Sequence, residues 1–204
     1  MGLNDRLREG EESPFRYPVA CCGVSHFSLH GENSVDVLAH GLWGGVGFYP
    51  KGSKKFAAAF GLGMAPDLLS FGLFHVTRPD WIGQRILGKV SGPPPIAILP
   101  DYVFQAYNIT HSLIVWSALF ALLWAIRRHP PWIFLAWGLH ILCDIPTHTS
   151  AYFPTPYLWP FTTPYIEGVS WATGWFMITN YTAILLAYLG VFAYRRIATT
   201  RLPH

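Results

Sequence analysis

The chain has 204 residues, with 14 Lys and Arg against 11 Asp and Glu for a net charge of +3, and it is 51% hydrophobic and 16% aromatic. Charged residues make up only 12%, about half the ~25% of an ordinary soluble protein, and the mean hydropathy is +0.29. That balance excludes a disordered chain, which lacks apolar surface to bury, and a nucleic-acid binder built on bulk charge, because no basic run is longer than a dipeptide. Between Tyr102 and Tyr194 only Arg127, Arg128, Asp144 and Glu167 are formally charged. Four charges cannot cover the surface of a water-soluble unit of that size, so the sequence predicts an integral membrane protein.

In chain order, residues 1–33 read as a polar N-terminal tail broken by Pro14, Pro18 and Gly31. No apolar stretch precedes Cys21, so the first membrane segment is expected to direct insertion itself. Five apolar segments follow. Residues 35–49 are short and Gly-rich, reaching about 22 Å as a helix, less than a bilayer core. Residues 56–75 can span but carry Pro66-Asp67 in the middle. Residues 102–126 end at Arg127-Arg128, residues 132–145 are short and stop before Pro146, and residues 175–194 close on Arg195-Arg196. The loops at 77–101 and 146–174 are long, the second rich in Pro and aromatic rings that favour the headgroup zone. The expected fold is all-α: an integral-membrane bundle of about five helices, two of them short, over 34–197, with a Pro/aromatic-rich surface loop and a short polar tail at 198–204.

Cysteine adds little. Cys21, Cys22 and Cys143 form no CxxC spacing, which argues against a disulfide framework and a thiolate zinc site. Orientation comes from the basic residues. Lys51, Lys54 and Lys55, then Arg127-Arg128, then Arg195-Arg196 fall on one face of an alternating path, and the positive-inside rule makes that face cytoplasmic.

Ionisable side chains inside apolar segments cost roughly 2.5–3.5 kcal/mol each on insertion scales, so each calls for a partner and a purpose. Asp36, Asp67 and Asp144 fall within or at the ends of such segments, as do His40, His111 and His140, and His148 follows closely. On the alternating path all of them lie towards the face opposite the basic clusters. Asp36–His40 and His140–Asp144 are i,i+4 pairs, each on one helical face, and Asp144–His148 repeats the interval through a turn at Pro146. This N/O donor set, without thiolate, suits Zn²⁺ foremost, with Mn²⁺ or Fe²⁺ as alternatives, and offers enough ligands for one or two ions. Asp36 also suits a helix N-cap, and His148 also suits an ordinary loop histidine. Arg85 and Lys89, near Gly83, Gly88 and Gly92, read as ordinary loop charges, with the holding of an anionic headgroup at the outer surface as the alternative, and His75 reads as an interfacial histidine.

The ordered set Asp36-Val-Leu-Ala-His40-Gly-Leu-Trp-Gly, Pro66-Asp67, Thr110-His111-Ser112, His140-x-x-x-Asp144 and Trp159-Pro160-Phe161 resembles the membrane-bound, metal-dependent hydrolase family of bacterial inner-membrane proteins. That family is distantly similar to the all-α zinc-dependent phospholipase C and nuclease group. The resemblance spans roughly residues 34–161 and implies metal ligation by His40, Asp67, His111, His140 and Asp144. The chain departs from the family after Asp67, where Leu68-Leu69-Ser70 replace a further Asp and His, and before Thr110, where Tyr107-Asn108 replace a basic residue.

Two functions are therefore weighed. One is a membrane hydrolase acting on a phosphoester or lipid-like substrate, with membrane lipids around it and His40, Asp67, His111, His140, Asp144 and His148 on the metal. Whichever of Asp36, Asp67 and Asp144 is not a ligand would then serve as general base or orient a histidine. The other is a non-catalytic transporter, channel or assembly factor with a buried His/Asp network. No paired repeat of the transporter kind is visible in the sequence.

Overall fold

The computed structural model describes residues 36–90, 93–161 and 166–200, apart from the side chains of Asp36 and Thr199. The expected terminal tails, with Cys21 and Cys22, lie outside these residues, except that the last helix runs on to Thr200. Among the described residues the chain is helical with no strand. α1 is Asp36–Val46 and α2 is Ser53–Asp67; a π-helical turn Leu68–Gly72 joins α2 to α3, Leu73–Thr77, making one continuous helix. α4 is Pro79–Ile86, α5 Asp101–Thr110, α6 Leu113–Arg127, α7 Leu135–Asp144 and α8 Gly174–Thr200.

Ser53–Thr77 and Gly174–Ala198 are each long and apolar enough to cross a membrane, and α5 with α6 would make a third such span, bent by 58°. The expected five segments thus become seven helices among the described residues, for two local reasons. The third segment breaks at His111-Ser112, where Ser112 leaves the helical region and its hydroxyl accepts the Ile114 and Val115 N–H groups at 3.1 and 3.2 Å, capping α6. The stretch read as a loop at 77–101 holds α4, which opens with Pro79 in its first turn, where a missing N–H costs nothing. Arg78 meets Asp80 through two 2.9 Å hydrogen bonds, which hold that exposed carboxyl below the usual carboxylate range.

Small residues let the helices come close. A Cβ at Gly63 of α2 would lie 2.5 Å from the His40 carbonyl oxygen of α1, and one at Gly44 would lie 3.0 Å from both Ala59 O and Ala136 Cβ of α7. The Gly-rich sequence of α1 is therefore a packing surface in which backbones approach where side chains would hold them apart. α1, α2 and α7 form one packed group, with α5 against the π turn and α8 against α1. On α8, the Asn180 amide oxygen accepts the Trp43 indole N–H at 2.9 Å and the Tyr188 hydroxyl donates to the Leu42 carbonyl at 2.9 Å. A second core of Phe74, Trp81, Leu99, Val103, Phe104, Tyr107 and Phe153 sits between α3, α4, α5 and the loop after α7.

Candidate metal centre

The side chains that the hydropathy pattern does not explain converge on the carboxylate of Asp144. His40 arrives from α1, Asp67 from the end of α2, His111 from the corner between α5 and α6, His140 from one turn earlier in α7, and His148 from the turn after it. That turn closes as Pro146 implies, with the Thr147 and His148 N–H groups both donating to the Asp144 carbonyl at 3.0 and 3.1 Å. His40, His111, His140 and Asp144 are buried, while Asp67 is 17% and His148 12% exposed at the side chain.

Three of the four imidazoles are locked in one tautomer. His140 Nδ1–H donates to the Gly63 carbonyl at 2.7 Å, His111 Nδ1–H to the Tyr107 carbonyl at 3.1 Å, and His148 Nδ1–H to the Phe153 carbonyl at 2.8 Å. A carbonyl only accepts, so each Nδ1 carries the proton, and in the neutral ring Nε2 is left with its lone pair. The Nε2 atoms of these three rings and of His40 face Asp144. His140 Nε2 lies 3.2 Å and His111 Nε2 3.3 Å from Oδ2, while His40 Nε2 lies 3.0 Å and His148 Nε2 3.7 Å from Oδ1. The two nitrogens of His111 and His140 are 3.1 Å apart. Acceptors therefore face acceptors in a buried space, and neither Asp144 oxygen has a hydrogen bond in the structure. Asp144 is also the last residue of α7, where the helix dipole disfavours negative charge. A cation resolves all three conflicts at once.

The spacing is right for one. His111 Nε2, His140 Nε2 and Asp144 Oδ2 are separated by 3.1–3.3 Å, and Asp67 Oδ1 lies 3.4 Å from His111 Nε2 and 3.8 Å from His140 Nε2. A tetrahedral ion with bonds of about 2.0–2.1 Å separates its ligands by about 3.3 Å. Two overlapping groups, His40–His140–Asp144 and Asp67–His111–His140, could hold a metal ion.

The supporting contacts explain the local sequence. The Tyr107 ring stacks on His111 with centroids 3.8 Å apart, and its hydroxyl donates to Phe153 O at 3.0 Å. Phe153 has φ of 48°, a left-handed conformation unusual for a bulky residue. It turns one carbonyl towards both Tyr107 and His148 while burying its ring against Phe71 and Phe104. Thr110 donates to Ala106 O at 2.8 Å, the Trp137 indole donates to Thr110 O at 2.9 Å, and the Ser112 hydroxyl donates to Trp159 O at 2.6 Å. Thr110-His111-Ser112 and Trp159 are thus parts of one corner. Pro66 stays inside α2, and its carbonyl accepts Ser70 Oγ at 2.9 Å at the π turn next to Asp67; such turns are frequent at functional sites.

All six expected metal-site residues therefore meet. Asp36 is the first residue of α1, and its side chain lies outside the described ones. The sequence reading gave His75 an interfacial role and weighed Arg85 as a loop charge or a headgroup contact; both line a cleft of about 120 Å³ whose lining also includes Asp67 and His148. The signal was present for His75, since Asp67, Phe71 and His75 recur every fourth position on one helix; no spacing pointed to Arg85. Comparison with family models, with curated proteins and with solved structures finds no match for the chain.

Proposed function

We propose that the chain is an integral-membrane, metal-dependent hydrolase acting on a phosphoester or lipid-like substrate. The observation that carries this reading is the set of imidazole lone pairs fixed by backbone carbonyls and aimed at the buried Asp144 carboxylate. A helix-bridging hydrogen-bond network would place protons between these atoms, whereas the Nδ1 protons are committed elsewhere. The N/O donor set favours Zn²⁺, with Mn²⁺ or Fe²⁺ as alternatives. His111, His140, Asp67 and one Asp144 oxygen would hold one ion. His40 and His148, on the other Asp144 oxygen, would hold a second ion or orient the first set.

A divalent cation held there acidifies water and polarises the scissile bond. Asp67 borders the cleft, and where His111, His140 and Asp144 alone hold the ion it would take the proton from incoming water. His148 borders the same cleft, held in orientation by the Phe153 carbonyl. The bilayer setting is supported by the two long apolar helices, on which Leu68, Leu69, Leu73, Ile178, Leu185, Leu186 and Leu189 are uncovered by the rest of the chain and would face lipid. The basic clusters support an extracytoplasmic side for the opposite face and its site, and the family resemblance supports a bacterial inner membrane.

Elemental analysis of detergent-purified protein tests the reading. One or two divalent ions per chain are expected in the wild type and none in His140→Ala, together with metal-dependent release of product from a phosphoester panel. Metal-free wild-type protein that carries protons or ions across liposomes would overturn it in favour of a transport role.

A further inference from the structure

The cleft above the metal-site residues has an uneven chemistry. Phe71, Pro93, Pro94, Phe153 and Trp171 give it an apolar wall, and Asp67 and His148 bring the metal-site cluster to it. Into this apolar space α4 contributes one permanent cation, the half-buried Arg85, whose guanidinium keeps its charge at any physiological pH and matches an oxyanion bidentately. His75 also lines it, but its Nδ1–H donates to the Phe71 carbonyl at 2.7 Å, so the neutral ring offers Nε2 only as an acceptor for a ligand hydroxyl and the anion falls to Arg85. At about 120 Å³ the space far exceeds the ~15 Å³ that one water needs. It is still small for a whole lipid, so it fits a headgroup and the first carbons behind it.

The helix that carries Arg85 supplies a second, independent observation. Trp81 anchors α4 in the aromatic core, while Ile82, Ile86 and the following Leu87 are exposed, as is Val76 just before the helix. A short helix with one face fixed to the protein and an uncovered apolar ridge on the other suits the boundary between headgroups and acyl chains. Arg85 on such a helix would stand at headgroup depth with its stem along apolar surface.

We propose that the cleft takes the anionic headgroup of a membrane amphiphile, a phosphate ester carried on a hydrocarbon chain, with Arg85 gripping the anion and Phe71, Phe153 and Trp171 receiving the first carbons. The inference rests on the hydrolase reading above and names its substrate class: the scissile ester lies over Asp67 and His148, and the chain leaves towards the bilayer. A soluble phosphoester would keep the Arg85 contact but leave the ring-lined wall unused.

Octylphosphonate, whose C–P bond resists hydrolysis, is the probe. It is titrated into metal-loaded protein in phosphatidylcholine nanodiscs, against empty nanodiscs, with methylphosphonate and octyltrimethylammonium as the short-chain and cationic counterparts. Octylphosphonate is expected to bind about 100-fold more tightly than methylphosphonate, the factor given by burying three or four methylenes. Arg85→Gln is expected to weaken it at least tenfold, Arg85→Lys less, and octyltrimethylammonium should not bind. Equal affinity for the two phosphonates, or an Arg85→Gln variant that binds as the wild type does, overturns the proposal. Metal content measured on the same samples reports separately on the hydrolase reading: it should be equal in wild type and Arg85→Gln, and a wild type without metal sinks that reading while the phosphonate titration still decides the headgroup assignment.

Discussion

Gly63→Ala adds a single methyl group and should disable the metal centre from outside it. The new Cβ would lie 2.5 Å from the His40 carbonyl oxygen, 3.1 Å from its carbon and 3.2 Å from Gly41 Cα. All three are backbone atoms of α1, so no side chain can swing aside. Reaching ordinary contact requires α1 to retreat by about 0.7–0.9 Å, a strain of about 1–3 kcal/mol for overpacking of this kind. His40 rides on α1, so its 3.0 Å approach to Asp144 Oδ1 would open to nearly 4 Å, whereas coordination distances tolerate about 0.2 Å. The Gly63 carbonyl itself accepts the His140 Nδ1–H at 2.7 Å, so two ligands are disturbed together. Loss of such supporting contacts typically costs 10–100-fold in metal affinity. Zn²⁺ competition against a chelator on detergent-purified protein should show that loss while circular dichroism shows unchanged helix content. Gly61→Ala is the matched control, because a Cβ there meets nothing within 4 Å. A Gly63→Ala protein that binds Zn²⁺ as tightly as Gly61→Ala refutes the argument that α1 packing sets the site.

His111→Ala and Asp144→Asn should each lose metal as fully as His140→Ala, measured by elemental analysis, because each removes a donor from the same four-atom set; retention of a full equivalent in either would show that the ion sits elsewhere. Ser112→Ala removes the cap of α6 and the hydroxyl bond to Trp159, and thermal unfolding in detergent should register a loss of about 1–2 kcal/mol; an unchanged melting temperature would mean the corner holds without it. Asn180→Leu removes the acceptor of the Trp43 indole. Since polar contacts between membrane helices average only about 0.6 kcal/mol, metal content should stay at the wild-type level, and its loss would show that α8 controls the centre.

The residues of the centre were legible in the sequence because the cost of charge in an apolar segment leaves so few explanations for Asp67, His111 or Asp144. Spacing carried further detail: i,i+4 intervals put His140, Asp144 and, through the Pro146 turn, His148 on one side. Helix positions were legible from hydropathy, but the break at His111 was not, since Tyr102–Ile126 reads as unbroken apolar sequence and only the Ser112 cap reveals the bend. α4 was hidden because Pro79 and Gly83 resemble loop punctuation, and its single buried anchor, Trp81, leaves no apolar stripe to detect. The Gly spacing of α1 shows its meaning only once Gly63 of α2 lies against it, a contact between segments that no local pattern encodes. Arg85 was legible as a candidate headgroup contact, but its link to the centre was not, because its neighbours in the cleft come from several separate stretches of chain.

The convergence on Asp144 has a consequence for biogenesis. Its neighbours are delivered by successive translated segments, and the final two, Asp144 itself and His148, emerge only when the fourth apolar segment has left the ribosome. Until then the earlier histidines have only Asp67 to meet. An ion bound in this pocket would therefore find its full donor set only after four of the five apolar segments are made, and would tie them together before α8 follows.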